Sequence, residues 1–358
     1  MPIALSRARR HSDHAAGRGH ATLIGSPETA GRAIRRRWCR LLLPAVAILC
    51  VANPARAQSN NGALDLLLPI GARATAMGAA YSAEEGSETV WWNPAGIARL
   101  TKPELRLDHF ATFLVESGDA VALILPAGPV GAFGISARLF NYGTSPATDR
   151  TTGAEVGVST QRSYTLGGTF ATAFGPLWNA GIAFRLYSLG SPCTGLCTNT
   201  VSGSFNTATV DVGAKYRLSA SSPIELGATL SNLGPDLQVH DRPQADALPA
   251  RIRLGAGVQI PTSQWDPNLR VRVTADFVAT PALSSQELHA GGELSYSSAG
   301  TSLFARAGYV HSDAASAGPS IGFGLSNARL QLDFARVFES FSTGLGKPPT
   351  YISIRIGL

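Results

Sequence analysis

The feature that most constrains this chain is an alternation of apolar and polar residues with a period of two. Residues 269–277 read LRVRVTADF, with the apolar side chains on one parity and the charged ones on the other. Such a period is typical of strands that have one apolar and one polar face. No segment of helical length lies between the strand-like segments, which number fourteen: 104–115, 119–126, 131–142, 162–174, 178–190, 207–218, 224–234, 248–260, 269–280, 285–297, 302–311, 319–326, 329–340 and 349–358.

The connections between these segments alternate in length. One set consists mostly of short turns, and the other contains the three longest connections, at 143–161, 191–206 and 235–247. A soluble sandwich has no reason for this alternation, whereas an outer-membrane barrel has short turns at one end and longer loops at the other. Closure also pairs every backbone group, as crossing hydrocarbon requires. The sequence therefore predicts an all-β fold, a transmembrane outer-membrane β-barrel of about 14 antiparallel strands, over residues 104–358.

Residues 1–57 have the features of an export signal. An arginine triplet at 35–37 precedes the apolar run 41–51, and Ala55-Arg56-Ala57 provides a cleavage site. The run is too short to span a bilayer. These residues hold ten arginines and two acidic residues, which leaves 20 basic and 22 acidic residues in the rest of the chain. The net charge of +6 therefore belongs to the leader and gives no indication of nucleic-acid binding.

Residues 58–103 precede the first strand and are long enough to plug a lumen of this width. Within them, Trp91 and Trp92 stand next to Asn93-Pro94. Proline fixes its own φ and pushes the preceding residue out of the helical region, so this dipeptide is a stiff corner. We predict that the tryptophans wedge an N-terminal plug against the barrel wall and that the corner redirects the chain.

The segment 71–100 resembles the N-terminal hatch shared by the long-chain fatty acid transporter family and the PorV/PorQ family of outer-membrane proteins. The aromatic-Asn-Pro-Ala-Gly turn of that hatch is formed here by Trp92, Asn93, Pro94, Ala95 and Gly96. Two further stretches, SNLGP at 231–235 and LPARIRLGAGV at 248–258, are similar to the PorV/PorQ branch, which we favour.

The two branches imply different functions. Resemblance to PorV/PorQ implies an accessory of protein secretion or surface attachment, with secretion-system proteins or secreted cargo as partners. Resemblance to the fatty-acid branch implies a FadL-like passive transporter of small hydrophobic molecules. Both imply the cell outer membrane, contact with its lipid and assembly by the barrel assembly machinery.

Charged residues on the polar parity of the strands are predicted to face the lumen, because charges are costly on the lipid side. Such side chains could select permeants, or they could dock the acidic plug residues Glu84, Glu85 and Glu88; we favour docking. His109 and Arg336 depart from the rule, since they share parity with apolar neighbours. The candidate lumen-facing residues are Arg251, Arg253, Arg270, Arg272, Asp276, Glu293 and Asp333.

Little in the chain indicates catalysis or a cofactor. Cys193 and Cys197 lie in a Ser/Gly/Pro-rich segment of an exported chain, which favours a local disulfide over a metal site that would need two more ligands. Four histidines remain after the leader, and the one "HSD" sequence, at 311–313, falls in a predicted loop. We expect no enzyme activity, no cofactor, no metal and no nucleic-acid partner.

Overall fold

The computed structural model describes residues 62–112, 115–149, 151–197, 204–238, 245–312, 317–338 and 348–358, so the predicted leader lies outside the described residues. Within these ranges, no helix is long and apolar enough to cross a membrane.

The barrel strands are β1 (Glu104–Ala111), β2 (Ser117–Pro126), β3 (Ala132–Thr148), β4 (Glu155–Phe174), β5 (Trp178–Gly190), β6 (Ser204–Arg217), β7 (Ile224–Leu233), β8 (Arg251–Ile260), β9 (Leu269–Thr280), β10 (Ser285–Ser298), β11 (Thr301–Ser312), β12 (Gly318–Ser326), β13 (Leu330–Val337) and β14 (Thr350–Gly357).

The ladder of these strands is closed. Each strand pairs antiparallel with its neighbours in sequence, and β1 pairs with β14, with Leu107 opposite Ile354. No edge is left along the closed ladder, which is the condition for spanning a bilayer with strands. The prediction of an all-β barrel with fourteen antiparallel strands is confirmed.

The two faces of the wall have opposite polarity. In β2 every second residue is buried, and the exposed parity carries apolar side chains such as Val121 and Leu125. Large apolar residues on the outside of other strands are more exposed still, at 55% for Leu166 and 61% for Phe323. A continuous apolar exterior is unfavourable in water and stable against lipid. The outer face is therefore that of a membrane barrel.

The prediction of a loop over 143–161 is wrong for most of its length. β3 and β4 continue to Thr148 and from Glu155, and a bulge between Asn141 and Thr144 lets the pair extend beyond the rim. In this stretch neither face of the strands is lined by apolar side chains, as expected for a ribbon that has no face against lipid. Three short strands also lie outside the closed ladder: Cys193–Gly195, which pairs with β4, and Leu237–Gln238, which pairs with Ala245–Asp246.

The two parity exceptions lie near the long-loop end of their strands. His109 is outward and its Nδ1 lies 2.8 Å from Asp119 Oδ1, with both side chains more than half exposed. Arg336 is the residue before the end of β13. Neither lies at a register shift, so both are rim positions rather than bulges.

The described part of the N-terminal segment, residues 62–103, lies inside the barrel and consists of short helices and turns. It contains the 3₁₀ helices Leu64–Leu67, Ser87–Trp91 and Pro94–Ile97 and one α-helix, α1 (Ala72–Ala76). Most of its side chains are buried, and α1 packs against β12, β13 and β14. Residues 62–103 therefore lie in the lumen, where the sequence placed a plug segment.

Candidate functional site: the plug and the lumen

The Trp-Trp-Asn-Pro turn has a defined set of partners. Asn93 caps the 3₁₀ helix that Pro94 begins, since its Oδ1 accepts a hydrogen bond from the backbone N–H of Ala95 at 3.0 Å. Its Nδ2 donates to Ser82 O at 2.7 Å and to Ala214 O in β6 at 3.2 Å. One buried asparagine thus joins two plug segments and the wall. Ala95 and Gly96 are buried behind it.

The two tryptophans point to different places. Trp92 is 7% exposed, donates from Nε1 to Ile70 O at 3.0 Å and packs beside the ring of Tyr81. Trp91 donates from Nε1 to Asp108 Oδ2 of β1 at 3.3 Å and packs against three hydrophobic clusters. Trp92 joins the plug to itself, and Trp91 joins it to the wall.

Glycine pairs on the inner face of the wall receive the backbone of the plug. Gly181 stands opposite Gly213, Gly227 opposite Gly255, and Gly291 opposite Gly308. Since a side chain has no space at these positions, glycine is what permits contact between plug and wall. A Cβ would overlap Pro94 C at Gly181, Asn93 Oδ1 at Gly213, Ser82 O at Gly227, Met77 O at Gly291 and Gly78 N at Gly308.

The three acidic residues at 84–88 all pair with cations, whereas Asp65 accepts hydrogen bonds from Ser163 and Tyr187 of the wall. Glu84 pairs with Arg272 of β9 and, at 2.9 Å, with Arg73 of the plug itself. Glu85 and Lys215 are 3.0 Å apart. In these contacts, the acidic residues of the plug pair with charged residues of the lumen wall, which is the docking favoured from the sequence.

Glu88 is a buried acidic plug residue that pairs with β1 of the wall. Its Oε2 lies 2.8 Å from Arg106 Nη2, and its Oε1 accepts a hydrogen bond from the backbone N–H of Ala74 at 2.9 Å. Burial raises the pKa of Glu88 to about 7, with the opposing attraction of Arg106 smaller than the burial effect.

Three acidic residues of the candidate list complete this network from the wall. Asp276 Oδ2 accepts from the backbone N–H groups of Tyr81 and Ser82, both at 3.0 Å. Glu293 contacts Arg73 at 2.8 Å. Asp333 holds Arg306 at 2.7 Å, and Arg306 reaches Glu293 at 2.6 Å.

Three of the four candidate arginines contact the plug, Arg272 through Glu84 and two others through backbone carbonyls, and one does not. Arg253 donates to Ala79 O at 3.2 Å, and its guanidinium lies 5.0 Å from the Trp92 ring centre. Arg251 reaches Leu67 O at 3.5 Å. Arg270 keeps the inner parity but is exposed at the short-turn end of β9.

A small cavity of about 40 Å³ lies on the long-loop side of the plug. The plug contributes an apolar side, and the strands contribute a polar side. A cavity of this volume holds a few water molecules, whereas an apolar cavity of roughly 150 Å³ is needed for benzene. Its lining is Leu66, Leu67, Leu68, Ile70, Trp91 and Trp92 from the plug, with Arg138, Arg185, Asp211, Ser231, Asn232, Arg251 and Arg253 from the wall.

Cys193 and Cys197 are joined by a disulfide with a Cα–Cα distance of 6.2 Å, at the strand that pairs with Gly157–Ser159 of β4. Across the described ranges, no group of three His, Cys, Asp or Glu side chains could hold a metal ion.

Sequence reasoning missed two parts of the site. The wall glycine pairs could not be recognised, because a pair forms only when the register of two strands is known. Arg106, which binds Glu88, sits on the polar parity of β1 and could have been found by the same rule that produced the candidate list.

No family model matches this chain, and no curated protein matches it. Solved structures with the same fold are found at low identity. The toluene transporter TodX of P. putida has a TM-score of 0.53 and 13% identity, covering 80% of this chain and 98% of that chain. The toluene transporter TbuX of Ralstonia pickettii has a TM-score of 0.53 and 14% identity, with the same coverage. A FadL homologue of Pseudomonas aeruginosa has a TM-score of 0.52 and 12% identity, covering 83% and 99%. The chain thus has the fold of FadL-type outer-membrane barrels.

Proposed function

We propose that this protein resides in the outer membrane and is a passive channel for small hydrophobic molecules. The observation that carries the proposal is that six leucine, isoleucine and tryptophan residues of the plug line the lumen cavity, opposite polar and charged residues of the wall. Water-filled porins have a polar lumen, whereas here the plug brings leucine, isoleucine and tryptophan residues into the lumen. Support also comes from the fold, because solved barrels of this type include toluene transporters and a monoaromatic hydrocarbon channel.

Passage requires the plug to shift. The cavity is about 40 Å³, well below the roughly 150 Å³ that suits benzene. The turn Leu64–Leu67, which carries three leucines and the buried Asp65, follows Gly62, whose N–H donates to Ala247 O in a long loop at 3.1 Å. We infer that an entering molecule displaces this turn first.

The test is uptake of a radiolabelled monoaromatic hydrocarbon, compared with a sugar of similar mass, by intact cells whose outer membrane contains the chain and by cells that lack it, because a plain phospholipid bilayer is itself permeable to such hydrocarbons. We expect faster entry of the hydrocarbon only. Leu67→Ser, which makes the cavity polar, should slow this entry several-fold. Leu64→Ser is the matched control, because Leu64 belongs to the same turn, is 49% exposed and does not line the cavity. Equal entry with and without protein would refute the channel.

One observation favours the second function, an accessory of protein secretion or surface attachment. Ion pairs, contacts at the wall glycines and hydrogen bonds hold the plug to many strands. A plug fixed in this way is expected in a barrel that does not need to conduct. Pull-down from native outer membranes should then recover secreted cargo or secretion-system proteins at constant stoichiometry. The presence of a type IX secretion system in the genome would agree with that result. Hydrocarbon uptake together with a pull-down that recovers no such partner would support the channel and contradict the accessory function.

A further inference from the structure

The wall side of the lumen cavity carries an excess of positive charge. Four arginines line it against one carboxylate, Asp211. Asp211 is engaged by the guanidinium of Arg185 and by the backbone N–H of Asn232, which donates at 2.9 Å. Because unpaired charge is strongly unfavourable in a buried setting, the other three arginines need compensation.

Those three arginines find only distant or shared carboxylates. Arg253 lies 3.9 Å from Asp276, which already accepts hydrogen bonds from the plug. Arg251 lies 3.9 Å from Glu287, and Glu287 also contacts His289. Both distances exceed hydrogen-bond reach.

Arg138 is the least satisfied of the three. Two carboxylates, those of Asp65 in the plug and Asp211 in the wall, attract its guanidinium from a distance, but among the residues that the structure describes no carboxylate forms an ion pair with it. Its Nη2 donates to Thr165 Oγ1 at 3.4 Å, and its Nε is buried without a hydrogen-bond partner. The guanidinium also lies 5.9 Å from the ring centre of Trp91, which places it beside the cavity.

We propose that this cavity binds a small inorganic anion of the size of chloride, held by Arg138, Arg251 and Arg253. The volume of about 40 Å³ suits one such ion and its water. An organic acid does not fit unless the plug moves. The bound anion would neutralise the wall arginines. This inference does not depend on transport and stands if the channel function fails.

The direct test is anomalous scattering from crystals of the unmodified mature protein soaked in bromide. We expect a bromide peak within hydrogen-bonding distance of at least one of the three guanidinium groups. If bromide occupies sites on the protein surface at high occupancy and none is found in the cavity, the proposal is overturned.

A solution test uses Trp91 and Trp92 as reporters. In a Trp178→Phe/Trp265→Phe background they are the only tryptophans left after the leader, whose Trp38 is predicted to be removed. Iodide quenching at constant ionic strength should saturate, and chloride should compete with it. Arg138→Gln should raise the half-saturating iodide concentration at least three-fold, and Arg138→Lys should restore part of the loss.

The matched control is Arg270→Gln, since Arg270 lies on an inner parity but is exposed and does not line the cavity. It should leave the titration unchanged. Linear quenching that is the same in the parent and in Arg138→Gln would contradict the proposal, as would competition by organic acids but not by chloride.

Discussion

Trp91 and Trp92 are adjacent in the chain but hold different parts of the molecule together. Trp91 packs against wall residues around Phe110 and Ile124, whereas Trp92 packs with Tyr81 inside the plug. A plug anchored in this way is attached to the wall by side-chain burial, which mutation can remove without touching the strand ladder.

Replacing both tryptophans by alanine should therefore loosen the plug while the barrel still assembles. Truncating a buried tryptophan costs about 3–5 kcal/mol. The double variant should conduct ions in a planar bilayer and admit small hydrophilic solutes that the parent excludes, and deletion of residues 58–90 should do the same. Trp265→Ala is the control, because Trp265 is 73% exposed. Variants that assemble and stay as closed as the parent would show that the tryptophans do not anchor the plug.

A second residue-scale prediction concerns the wall glycines. Gly308→Val should displace the plug, because its Cβ would overlap backbone atoms of Met77 and Gly78 that cannot rotate away. Overpacking of this kind costs about 1–3 kcal/mol or more. Tryptic cleavage after Arg73, followed by mass spectrometry, should become faster. Gly168→Val provides the comparison, since a Cβ there meets nothing within 4 Å. Equal cleavage of the two variants would count against the plug–wall contact.

At the scale of elements, the β3–β4 hairpin is the part of the barrel that departs most from its neighbours. The ladder of β2 with β3 ends where Ser117 meets Asn141, so the rest of β3 and its partner residues in β4 project past the rim. The short strand Cys193–Gly195 adds to this projection by pairing with β4. The disulfide therefore closes a small ring within the loop, and the strand pairing joins that loop to the projecting ribbon.

The oxidised state of Cys193 and Cys197 can be checked by thiol labelling of intact cells. Without reductant, labelling should fail at both positions, and it should succeed after reduction. The ring is small, so its loss should cost about 2 kcal/mol, the low end of the usual range, and the effect should be local to the loop. Plug closure and barrel assembly should not change. Free thiols in untreated cells would exclude the bridge.

The whole molecule is stabilised chiefly by a ladder without ends. The ladder consists of fourteen strand pairings and has no free edge. Opening one strand would expose backbone N–H and C=O groups to lipid, where no water can form hydrogen bonds with them. We expect the unheated protein in detergent gels to migrate differently from the boiled protein, with a β-rich circular dichroism spectrum. Purification as a soluble monomer without detergent would contradict the membrane barrel.

The sequence by itself determined the faces of the strands, their approximate number and the presence of a segment before them. These are local properties: a period of two is visible in any stretch of LRVRVTADF type, and a stiff turn in Asn93-Pro94. The acidic stretch at 84–88 also indicated what the lumen charges would meet.

Only the tertiary structure decided which residues meet. Gly291 faces Gly308, and Glu88 reaches Arg106, because strand register and the path of the plug bring together residues far apart in the chain. Register depends on closure of the whole ladder, and a shift by one residue would turn every side chain to the other face. The surplus of arginine charge around the cavity is likewise a property of three strands and the plug together, which alternation within one strand could not reveal.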